Sequence, residues 1–292
     1  GKEKAITSPG LPTLTVGEET DAEIVLATKN IDNGSVVDAD IDRNGTLAVA
    51  STTNVDRNGN ATITLSGTPA TAGTVDLDVE VDGKTATFHI TVDAAPSNIE
   101  MAVTASGTLT YADTANALTV DVLANNAFAK TAKVTAITKN GAKAIDNFTV
   151  TESAPFENAA GNKQSLTITP KAAAQAGDYV ATITVGDQHK ELNFTVERAE
   201  INKTFDFTGV KGADIATTIS NIEAKNLTAD GVASIEATNE GYFVTITLTA
   251  DANHEFATSA TVTNIGFLSD ATNATSFDKD NTVMIRTGTF SF

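Results

Sequence analysis

The sharpest chemical pattern in the sequence is Asp40-Ile41-Asp42-Arg43-Asn44-Gly45-Thr46-Leu47. Oxygen-bearing side chains alternate along it and end at a glycine, the order in which a calcium loop presents hard ligands around a sharp turn. Where such a loop would close with a glutamate, the chain has Ser51. Asn54-Val55-Asp56-Arg57-Asn58-Gly59 is a weaker copy. Both runs also fit Asn-Gly turns between strands, so two readings stand: calcium held by Asp40, Asp42 and Asn44, or a plain turn.

Other reactive groups are sparse. The chain has no cysteine and three histidines, His89, His189 and His254. That excludes thiolate chemistry and disulfides, and neither a Gly-x-Ser-x-Gly elbow nor a His-Glu-x-x-His zinc pattern occurs. Each histidine is expected on a solvent-facing strand or turn. The carboxylates Asp76, Asp78, Glu80 and Asp82 form a stripe read as a solvated face that discourages edge-to-edge pairing. Glycosidase chemistry would need two of the 37 acids to converge in an aromatic-lined cleft. With no Trp and only Tyr111, Tyr179 and Tyr242 as tyrosines, no such cleft is expected. The sequence therefore predicts no catalytic residue, no cofactor and no metal site beyond the calcium pattern.

A net charge of −18 repels phosphate backbones and anionic lipid headgroups. No run approaches the length of a membrane span. Nucleic acid and membrane insertion are excluded as partners, and a monomer is expected. The polar start, Gly1-Lys2-Glu3-Lys4, followed by Ser8-Pro9-Gly10-Leu11-Pro12, reads as a tether into the first folded unit. An export signal, if the chain has one, has been removed.

Period-2 alternation dominates the elements that must position these residues. Val75-Asp76-Leu77-Asp78-Val79-Glu80-Val81 puts apolar and acidic side chains on opposite faces. Asp82-Gly83 turns the chain, and Thr85–Val92 resumes the alternation. The same pattern recurs at Ala61–Leu65, Ala117–Val122, Lys133–Ile137, Phe148–Thr151, Leu166–Thr169, Val180–Val185, Leu192–Val196, Phe205–Thr208, Tyr242–Leu248 and Val283–Arg286. Long helical periodicity is absent, and only Lys171–Ala176 is expected to make a helical turn.

An internal repeat sets the organisation. Gly73 to Val92 and Gly177 to Val196 have the same spacing, and Val75, Val79, Val81, Ile90 and Val92 answer to Tyr179, Ile183, Val185, Phe194 and Val196. At 292 residues the chain is long enough for several domains. The repeat predicts tandem antiparallel β-sandwiches over 1–95 and 96–198, with a third β-rich unit over 199–292. Their short boundaries favour a semi-rigid, elongated rod.

Ser66-Gly67-Thr68-Pro69-Ala70-Thr71-Ala72-Gly73-Thr74 with its closing Phe-x-Ile-x-Val strand resembles the Ig-fold repeats of bacterial surface proteins. Ala176-Gly177-Asp178-Tyr179 resembles the turn before the tyrosine corner of Ig-like sandwiches. Val244–Asp251 and His254-Glu255-Phe256-Ala257 resemble repeats of large extracellular bacterial proteins. The resemblance implies Ig-like modules without catalytic residues, acting in adhesion or as a stalk or spacer outside the cell, with a protein or glycan ligand. The competing expectations are a carbohydrate-binding accessory region of a secreted or lipoprotein system, and a structural part of an S-layer or phage. Module one has Val75 in place of Tyr179, so no tyrosine corner is expected there.

Overall fold

The computed structural model describes residues 2–7, 9–239 and 244–263, together with the strands at 274–277 and 282–286. Among the described residues the chain is mostly β-strand, with one α-helix and two short 3-10 turns, as its alternation predicts. Gly1, Ser8 and Tyr242, singled out above, lie outside the described residues.

Module one has eight strands: β1 (Ala5–Thr7), β2 (Leu14–Thr15), β3 (Glu23–Lys29), β4 (Val37–Ile41), β5 (Ala48–Thr52), β6 (Asn60–Ser66), β7 (Gly73–Val81) and β8 (Lys84–Asp93). They form two sheets, ordered β1-β3-β6-β5 and β2-β8-β7-β4. The first segment is thus not a tether. β1 pairs antiparallel with β3, and the chain then crosses to pair β2 parallel with β8. Pro9 and Pro12 lie in the crossover, where residues without an N–H cannot extend a ladder. This split first strand, followed by the orders above, is the immunoglobulin arrangement.

Module two repeats it with β9 (Glu100–Ser106), β10 (Leu109–Thr110), β11 (Leu118–Asn125), β12 (Ala132–Lys139), β13 (Ala142–Lys143), β14 (Phe148–Val150), β15 (Asn162–Pro170), β16 (Gly177–Val185) and β17 (Gln188–Glu197). Its sheets run β14-β15-β11-β9 and β10-β17-β16-β12-β13. β13 folds back on β12 through Asn140-Gly141, both at positive φ, as a two-residue hairpin turn demands.

Val81, Ile90, Ile183 and Val185, inward positions in the sequence reading, are fully buried, and each module encloses its own apolar cluster. Alternation does this directly, because every second side chain of a paired strand faces the opposite sheet.

The third unit is built differently. It contains β18 (Ala199–Ile201), β19 (Thr204–Asp206), α1 (Ile215–Glu223), β20 (Val232–Asn239), β21 (Val244–Ala250), β22 (His254–Phe256), β23 (Thr261–Thr263), β24 (Ala274–Phe277) and β25 (Thr282–Arg286). A sheet ordered β20-β21-β25-β24 stands beside two short parallel pairs, β18-β22 and β19-β23. Phe205, Phe207, Ile222, Ile246, Leu248 and Phe256 share one core. The helix corrects the expectation of no more than a turn at 171–176, which is itself a non-helical turn. Asp214 caps α1 by accepting from the Thr217 N–H, and Ile219 and Ile222 turn one face to the core.

Candidate functional site

Four carboxylates, Asp38, Asp40, Asp78 and Glu80, share the outer face of β4 and β7. β4 and β7 run antiparallel with Asp38 opposite Glu80 and Asp40 opposite Asp78. Alternation sends the intervening residues inward, so four carboxylates stack in two rungs along a shallow groove that Thr85 and Thr87 complete. Like charges placed directly opposite one another disfavour the pairing. Thr87 Oγ1 donates to Asp78 Oδ1 at 2.7 Å, and His89 Nδ1 lies 2.6 Å from Asp76 Oδ1.

The calcium pattern is pulled three ways by this fold. Asp40 points into the groove. Asp42 stitches the end of β4 to β7, its Oδ2 accepting from the Asp76 N–H at 2.9 Å. Asn44 turns to the loop before β7, where its Oδ1 accepts from the N–H groups of Ala70 and Thr71 and its Nδ2 donates to the Thr71 carbonyl. Gly45 backs this contact at φ 60°, where a Cβ would meet the Thr68 carbonyl. Asn44 would have to leave that loop to join Asp40 and Asp42 around an ion. In the weaker copy, Asp56 Oδ1 accepts from the N–H groups of Asn58 and Asn60 and shapes the turn between β5 and β6. Among the described residues no group of three or more His, Asp or Glu side chains is placed to hold a metal.

Tyr179 forms the corner that the resemblance implies. Its hydroxyl donates to the Gln175 carbonyl at 2.6 Å, while its ring stacks on Phe194 and meets the edge of Phe148. Burial pushes its phenol above the usual range. Lys139 Nζ donates to the Ala176 carbonyl at 2.9 Å and lies over the Tyr179 ring.

His89 and His189 are exposed, as expected. His254 is not a free surface residue. Its ring is largely covered and meets Tyr111 of module two edge-on, with centroids 5.3 Å apart. No pattern in the sequence reveals this, because the two rings come from different modules. Lys203 pairs with Asp230, but both are open enough to water that the contact is an ordinary surface ion pair.

The modules touch at both joints. At the first, Ala95 and Phe128 pack on the core of module one, and the Ala159 N–H donates to the Gly17 carbonyl. Gly17 has φ 82°, and a Cβ there would lie 2.5 Å from Phe128 Cβ. At the second, Arg198 alone separates β17 from β18, and the Ala176 N–H donates to Asn253 Oδ1 at 2.9 Å. Among the described residues no helix is long and apolar enough to cross a membrane.

No family model matches the sequence, and no curated protein matches it. Among solved structures the chain is similar to FdeC, an Escherichia coli adhesin, at 15% identity and TM-score 0.40, covering 99% of this chain and 89% of that one. It is similar to invasin, a bacterial integrin-binding protein, at 13% identity and TM-score 0.45, covering 98% of this chain and 54% of that one. Domains 5–6 of the S-layer protein SbsC are similar at 18% identity and TM-score 0.25, covering 67% of this chain and 96% of that one. At these identities and TM-scores none of the three bears on what this chain does.

Proposed function

We propose that the chain is a non-enzymatic segment of a bacterial cell-surface protein, acting outside the cell in adhesion or as a spacer. The observation that carries this reading is the joining of two filled β-sandwiches and a third unit with its own apolar core, with direct contacts across each joint. Each module commits its interior to a packed core, so the property left to the array is reach. Loops and strand edges are then the surfaces on which a protein or glycan ligand would sit. Val36, at 69% exposure, stands beside the Asn33-Gly34 turn on the pole of module one and is the most open large apolar side chain among the described residues.

The test is accessibility on the producing cell. Antibodies raised against the chain should label intact cells, and external protease should remove the label. Labelling confined to permeabilised cells contradicts the reading. A glycan-array hit would redirect it to carbohydrate binding, and ordered lattices of the purified chain to a structural layer.

A further inference from the structure

The turn after the split first strand has the same geometry in modules one and two. In module one the Val16 N–H donates to the Asp93 carbonyl and the Glu18 N–H to the Thr15 carbonyl, around a left-handed Gly17. In module two the Tyr111 N–H donates to the Glu197 carbonyl and the Asp113 N–H to the Thr110 carbonyl, around a left-handed Ala112. Each turn receives a ring from the module that follows it: Phe128 on Gly17, and His254 on Tyr111.

We infer that Asn253 and His254 form a lock that fixes the third unit to the end of module two, so that the two bend as one body. The lock is braced from within the third unit. Asp251 Oδ1 accepts from the Asn253 N–H at 2.9 Å and lies 2.6 Å from His254 Nδ1, so one carboxylate sets both residues. Gly231, at φ 90°, leaves room for the imidazole, because a Cβ there would lie 2.5 Å from the ring. The Asn253 carbonyl accepts from the Ala199 N–H at 2.9 Å, which ties the loop to the first residue of β18. From this frame Asn253 Oδ1 reaches the Ala176 N–H, in the loop that also carries the tyrosine corner. His254 reaches Tyr111. The two contacts fall on different loops of module two, so together they oppose both tilt and rotation about Arg198. A single contact would leave one of these free. The inference concerns mechanics and holds whether or not the chain meets a ligand.

The chain has no cysteine, so a spin-label pair introduced as Glu191→Cys and Glu236→Cys is unique. Both positions are exposed, one in module two and the other in the third unit. In the full chain the distance distribution between the labels should be narrow. Asn253→Ala with His254→Ala should widen it about twofold, since modules joined by a linker alone move relative to one another. Tyr111→Ala, made on the other side of the joint, should widen it in the same way. Circular dichroism should remain that of the parent. A parent distribution already broad, or a width unchanged in both variants, overturns the inference. If the double variant loses its β spectrum, Tyr111→Ala alone decides.

Discussion

Gly73 pairs with Val92 in module one and Gly177 with Val196 in module two, both glycines at φ 136°. Two residues further on, the modules part. Module two places Tyr179 opposite Phe194, adds Phe148 edge-on, and ties the hydroxyl to Gln175. Module one places Val75 opposite Ile90, and its buried core is aliphatic but for Phe88. Their exposed edges differ as well. β13 covers the last two residues of β12, while β4, paired on one side only among the described residues, carries Asp38 and Asp40 and has its Val37 carbonyl capped by Thr52 Oγ1. One register thus supports two solutions, an aromatic cluster anchored to a turn and a largely aliphatic core whose edge is guarded by charge.

The largest expected effect comes from the cores. Phe194→Ala should destabilise module two by about 3–5 kcal/mol, and Ile90→Ala should cost module one about 2–5 kcal/mol, both read from urea midpoints. Equal losses in all modules from either change would erase the distinction. Next is the corner. Tyr179→Phe keeps the ring stack and removes one hydrogen bond, so module two should lose about 1 kcal/mol. An unchanged midpoint would mean that the ring alone anchors the strand.

A smaller effect concerns α1. The bond from the Thr217 N–H holds Asp214 below the usual carboxylate range. A group whose folded value is depressed stabilises above its unfolded value and loses that contribution as pH falls through the folded one. Asp214→Ala should therefore lower the melting temperature of the third unit at neutral pH and change little in strong acid. The smallest effect expected is that of calcium. With Asn44 bonded to Ala70 and Thr71, melting curves in calcium and in chelator should coincide. A calcium-dependent rise abolished by Asp40→Ala would show that the loop rearranges around an ion.

Much of this fold was legible because burial and alternation coincide. Along β7, Val75, Leu77, Val79 and Val81 are buried and their neighbours are not. β3 escaped the pattern because Ile24-Val25-Leu26 is continuously apolar, with Val25 left facing water. β4 was hidden within the calcium pattern, whose Asp40 is an ordinary outward strand residue. α1 was missed because Thr217, Thr218, Ser220 and Asn221 are poor helix formers, and a cap and a core face outweigh them. The placement of His254 depends on a contact between modules that no local pattern encodes.

Separate cores within one chain make a direct claim about where stability resides, and hydrogen exchange of Phe194→Ala in the 292-residue chain tests it. Amides of β11, β12, β15, β16 and β17 should exchange faster, while those of β3, β6, β7 and β8 keep the rates of the parent chain. Faster exchange spread evenly over both sets of strands would contradict the account.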